Sequence, residues 1–203
     1  MAGAGRVVRA VIHARRAVRL VVAMTDLVLA HIIPAALSLL PPAMDSPAAH
    51  AMLLAIGLQE SRFQHRRQVG GPARSFWMFE RNGVKAVATH QRLTVPLSEA
   101  LVELHYPVLL TPASLRACHA VLEHNDVLAC VFARLLLWSL PRRLPTEEEP
   151  DRAWDDYLAA WRPGKPHRST WNDFYAEAWR LVQMEGSIDT QERDVSGNAM
   201  DQD

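Results

Sequence analysis

Helix-start signals recur along this chain and limit what it can fold into more than any other feature. Ser46-Pro47 sets a side-chain acceptor ahead of a proline suited to the first helical position. Residues 48–63 follow, with Leu53, Ile56 and Phe63 at helical spacing. Thr111-Pro112 repeats the arrangement before Leu115, Cys118, Val121 and Leu122. Asn125-Asp126 opens a run through Val127, Cys130, Val131, Arg134, Leu135 and Trp138, which stops before Pro141. Thr146, with Glu149 three residues on, reads as a capping box. The helix it predicts carries Trp154, Tyr157, Leu158 and Trp161 and ends at Pro163-Gly164. Thr170 starts a last helix bearing Trp171, Phe174, Ala178 and Leu181. No stretch alternates apolar and polar residues as a half-buried strand does, and no fixed-period repeat is present. The expectation is an all-α, compact single domain of about seven short helices.

Composition narrows the partners. At 49% hydrophobic, 203 residues can bury one substantial core. Lys+Arg and Asp+Glu each number 22, so global charge favours neither nucleic acid nor a membrane surface as partner. Cys118 and Cys130 lie in apolar helical patterns and read as buried thiols rather than a disulfide. Residues 1–24 form a basic extension with Arg6, Arg9, Arg15, Arg16 and Arg19. They read as a leader, a basic arm, or sequence upstream of a natural start at Met24. Residues 25–185 carry the helical domain, and 186–203 read as a disordered polar tail. The apolar stretch 20–40 is long enough to span a bilayer, but Asp26, His31 and Pro34 interrupt it. A core helix kinked or ended at Pro34 is the expectation, with no stable membrane span and no convincing signal peptide.

The residues that point to chemistry start at Glu60. Helical spacing puts Leu53, Ile56, Glu60 and Phe63 on one face. A carboxylate on an apolar face is costly to bury ionised. Desolvation raises its pKa, which suits a group that protonates a leaving oxygen near neutral pH. The competing reading is a rim glutamate reaching solvent or pairing with Arg62 or Arg66. After a Gly70-Gly71-Pro72 turn come Phe76, Trp77 and Phe79, whose rings serve either as flat faces for sugars or as core plugs.

Glu60-Ser61-x-Phe63, followed by Gly71-Pro72-Ala73-x-Ser75-Phe76-x-x-Phe79, resembles the first two motifs of the lytic transglycosylase and goose-type lysozyme superfamily. More specifically the chain resembles small bacteriophage and prophage proteins of lysozyme-like fold, as does the segment 161–167, Trp-Arg-Pro-Gly-Lys-Pro-His. The resemblance spans about residues 25–185. It implies a lysozyme-like fold and cleavage of the bond between N-acetylmuramic acid and N-acetylglucosamine in peptidoglycan glycan strands, as a lyase or a hydrolase, with Glu60 as the single acid and base. By the same resemblance Ser61 orients the carboxyl or the acetamido group. Phe63, Ser75, Trp77, Met78 and Phe79 line the saccharide cleft, and Asn125 corresponds to a polar residue of a third motif. Ser75 stands where the pattern has glycine and Met78 where it has glutamine, a hydrogen-bonding amide replaced by a weak acceptor. A phage or prophage origin implies a protein of the host cytoplasm or the virion that acts on the periplasmic wall, alongside other virion proteins.

No cofactor and no metal are expected. His119 and His124, with Glu123 between them, lack zinc-protease spacing, and the two histidines read as ordinary surface residues, while 147–149 read as acids at a helix start. Two alternatives stand beside the enzyme. One is a non-catalytic virion structural or saccharide-binding protein of lysozyme-like fold. The other is a small helical DNA-binding protein, which would need an extended basic face.

Overall fold

The computed structural model describes residues 21–107 and 111–200, the side chains of 188–200 excepted. Its α-helices are α1 (Ile33–Leu37), α2 (Pro47–Glu60), α3 (Arg81–Thr89), α4 (Thr94–Glu103), α5 (Pro112–Val121), α6 (Asp126–Trp138), α7 (Pro150–Trp161) and α8 (Arg168–Met200). No strand occurs among the described residues, so the all-α, single-domain expectation holds. None of these helices is long and apolar enough to cross a membrane.

Two helices are buried on every side and organise the rest. In α2 every residue from Ala51 to Leu58 is buried, and in α6 every residue from Leu128 to Leu137. The stripe expected on α2 was therefore too narrow, since the whole barrel of that helix faces protein. Helix α8 packs along α2, α1 and α4 pack on α6, and α3 bridges α5 and α6. Cys118 and Cys130 are free, buried thiols, and burial pushes the Cys118 thiol up to about 12.

Local chemistry sets the helix starts. Ser46 accepts a hydrogen bond from the Ala49 N–H, and Asn125 from the Leu128 N–H. Thr111 and Ser114 form a reciprocal capping box. Pro34 is accommodated by a π-helical turn, Val28–Ile32, directly before α1. Wider turns re-space the carbonyls that a proline ring would otherwise strike, so the chain bends without breaking.

Three boundaries differ from expectation. Thr146 and Glu149 do bond each other, but as a turn; α7 starts afterwards, with Pro150 at its first position. Helix α8 begins at Arg168 rather than Thr170. It continues to Met200, through the stretch read as a disordered tail, because no proline interrupts that polar segment. Residues 1–20 of the basic extension lie outside the described residues, whereas 21–27 are already helical and Met24 packs on the core.

Candidate functional site

Glu60 is the last residue of α2, and the chain leaves the helix there abruptly. Ser61 caps the end, and Arg62 and Phe63 both take left-handed backbone, φ 51° and 54°. Phe63 is thus off the helix, and the shared face expected for it and Glu60 does not form. Its ring instead tucks back under α2 against Gly57, where a Cβ would lie 2.2 Å from Cε1. Only glycine allows that approach. The carboxyl of Glu60 stands at the negative end of the helix dipole, where a carboxylate is least welcome.

From that end the chain folds back on itself. Arg74 and Phe79 exchange two backbone hydrogen bonds of 2.9 and 2.7 Å, and Gln68 N–H donates to the Ala73 carbonyl at 3.0 Å. Gly70, with φ 71°, makes the turn between them. The Trp77 indole N–H donates to the Leu53 carbonyl on α2 at 2.8 Å, pinning the segment to the helix.

Helix α7 closes the arrangement. Tyr157 donates its hydroxyl proton to Glu60 Oε1 at 2.6 Å, and Trp161, one turn on, donates its indole N–H to the Trp77 carbonyl at 2.8 Å. Tyr157 stacks on Trp171 of α8, with centroids 5.2 Å apart. Beside Glu60, Gln59 donates to the His167 carbonyl and accepts from Thr170, which ties the 162–167 connection and the first turn of α8 to α2.

Burial raises the Glu60 pKa to about 7, the Tyr157 hydrogen bond pulls it down, and the charge of Glu80 pushes it up. Burial also raises the Tyr157 phenol well beyond its ordinary range, so it stays a proton donor to Glu60. The carboxyl is half-buried, and among the described residues Oε2 takes no hydrogen bond. Neither arginine proposed as a partner reaches it. Arg66 forks onto Asp126 at 2.7 and 2.8 Å, and Arg62 lies over the Phe174 ring. A partly buried acid that still holds a proton near pH 7, with one oxygen oriented by a phenol, is equipped for general acid catalysis.

The expected cleft residues fare differently. Trp77 and Ser75 are fully buried, and Phe63 and Phe79 are 2% exposed. Phe63 packs edge-on against Phe76 and Trp77, and Phe79 lies between Phe132 and Trp161. These rings are core, held there by the folded-back segment, and offer no face to a sugar. Ser61 is buried too, and its hydroxyl serves its own turn by donating to the Gly57 carbonyl and accepting from the Phe63 N–H. Asn125 caps α6 and donates to the Tyr106 hydroxyl at 3.2 Å, a structural use of both ends of its amide. Ser75 has φ 69°, the conformation that glycine adopts without cost. Met78 is half-buried with φ 49°, and among Phe63, Ser75, Trp77, Met78 and Phe79 it alone is not fully enclosed.

Tyr157 and Trp161 were read from sequence only as a core stripe. Their signal was the four-residue spacing of two aromatics with polar tips, which usually find partners when buried. His119 is not the surface residue expected: it is buried, with Nε2 2.9 Å from the Phe79 carbonyl, and Glu123 pairs with Arg74 at 2.8 Å. The chain matches no family model, no curated protein and no solved structure.

Proposed function

We propose that this chain is a peptidoglycan-cleaving lytic transglycosylase or muramidase in which Glu60 is the single acid and base. The observation that carries the reading is a partly buried Glu60 carboxyl that accepts the Tyr157 hydroxyl proton at 2.6 Å, with burial raising its pKa to about 7. Protonated Glu60 delivers its proton to the glycosidic oxygen as the bond to N-acetylmuramic acid breaks. The resulting carboxylate then takes a proton, from the sugar's own 6-hydroxyl in the lyase outcome or from water in the hydrolase outcome. Two-carboxylate glycosidases set their acids at defined separations. Here burial is the main cause that raises the Glu60 pKa, and the charge of Glu80 adds to it. The motif order in 60–79 supports the same reading by resemblance.

A second reading is favoured by the burial of Trp77 and Phe79, which leaves few aromatic faces for a saccharide. In it the chain is a non-catalytic saccharide-binding or virion structural protein.

Purified peptidoglycan separates the two. The parent protein is expected to release soluble muropeptides, and Glu60→Gln to release them 10²–10⁴-fold more slowly, about the usual worth of a general acid. Mass spectrometry of the fragments distinguishes anhydro ends from reducing ends. A parent that releases nothing overturns the enzyme, and co-sedimentation with the insoluble sacculus then decides for the binding protein.

A further inference from the structure

At the opposite end of α2 from Glu60, on the order of 20 Å away at 1.5 Å per residue, a second feature has no part in the proposed reaction. A cavity of about 690 Å³ lies between the start of α2, the last turn of α6 and the segment that follows it. Its lining includes Arg92, Arg134, Leu137, Trp138, Arg142 and Arg143. That volume falls within the range of small-molecule sites.

The charges around it are unevenly matched. Arg142 is paired with Asp156, and Arg143 with Glu149 at 2.7 Å. Arg134 is 1% exposed and has no carboxylate partner among the described residues. Its Nε donates to the Met44 carbonyl at 2.7 Å, but Nη1 is buried without any partner. Asp45, the acid whose charge Arg134 feels, is bonded to His50 at 2.8 Å. The guanidinium lies over the Trp138 indole, 4.9 Å from its centroid, and that ring is 37% exposed. Arg92, at the rim, is exposed and also lacks a carboxylate among the described residues. A buried cation without a counter-ion is costly, and an anion delivered by a ligand would offset that cost.

We propose that this cavity binds a small amphiphilic oxyanion, a carboxylate or phosphate on a short apolar body. Its charged group supplies the counter-charge that Arg134 and Arg92 lack, and its body lies along Leu137 and Trp138. A purely structural arginine that only holds Met44 against α6 is the competing account.

Isothermal titration of the full chain with octanoate, octyl phosphate, octanol and inorganic phosphate tests it. One equivalent of octanoate or octyl phosphate is expected to bind, the tighter of the two naming the oxyanion. Octanol and inorganic phosphate are each expected to bind at least about tenfold more weakly. Arg92→Ala should weaken binding of the amphiphile and leave the melting temperature unchanged. Ala43→Trp, on the exposed lining, should abolish binding by filling the space. Arg134→Met should remove binding as well; should it fail to fold, the Arg92 and Ala43 variants carry the decision. No binding of either amphiphile at millimolar concentration overturns the proposal. So does octanol or phosphate binding equal to the amphiphile, or undiminished binding by the Ala43 variant.

Discussion

With its carboxyl raised to about 7 by burial and by the charge of Glu80, Glu60 holds a proton in the folded protein that the unfolded chain releases near 4.5. Between those two values the folded state binds more protons than the unfolded state, so this group makes stability fall as pH rises from about 4.5 to about 7. Above 7 its contribution no longer changes. The effect is on the order of 2 kcal/mol, allowing for the water that still reaches the carboxyl. Glu60→Gln should flatten that slope, measured as the parent-minus-variant difference in melting temperature across the same pH window. Tyr157→Phe acts in the other direction on the titration. The hydrogen bond it removes lowers the Glu60 pKa, so the variant's Glu60 should titrate higher, and the alkaline limb of any Glu60-dependent activity should move up in pH. The limb moving down would show that the phenol does not hold the carboxylate. Sequence pointed to Glu60 because a carboxylate within an apolar helix stands out locally. It could not pair it with Tyr157, which lies 97 residues away.

The segment from Ser61 to Glu80 is held by backbone geometry more than by regular structure. Four of its non-glycine residues, Arg62, Phe63, Ser75 and Met78, have positive φ. At Ser75 the left-handed cost, about 1–2 kcal/mol, is partly offset by its hydroxyl accepting from the Trp77 N–H at 3.2 Å. Ser75→Gly loses the hydroxyl but relieves the backbone, whereas Ser75→Ala loses the hydroxyl and keeps the strain. The glycine variant should melt within a few degrees of the parent and above the alanine variant. The reverse order would mean that the serine hydroxyl, not the backbone, governs the turn. Sequence pattern could see the Gly70-Gly71-Pro72 turn because those residues advertise their conformations. Left-handed serine and methionine advertise nothing, so the burial of the aromatics beyond them was not legible. The same distinction separates the caps. Ser46, Thr111 and Asn125 act on N–H groups three residues away and are readable locally. Thr146 was misplaced because Pro150 offered a better first position for α7.

Across the molecule, α7 and α8 meet the central helix through one aromatic column. Trp171 is fully buried, stacks between Tyr157 and Tyr175 at 5.2 and 5.9 Å, and donates to the Pro150 carbonyl at 3.0 Å. Trp171→Ala should cost about 3–5 kcal/mol, or a drop on the order of 10 °C in melting temperature for a domain of this size. It should also loosen Tyr157 and so reduce any Glu60-dependent activity. A change of only a degree or two would show that the column closes around the gap.

The sequence by itself determined that the chain is helical, where most helices start, and that Glu60 is a carboxylate set among apolar residues. Each of those follows from interactions within one or two helical turns, which are written locally. The tertiary structure decided what surrounds the helices. It buried α2 on every side, sent Trp77 and Phe79 to the core, and brought Tyr157 to the carboxyl from α7. Periodicity marks a face as apolar but does not name what covers it. Burial and the pairing of polar tips are properties of elements distant in sequence, settled only when those elements pack together.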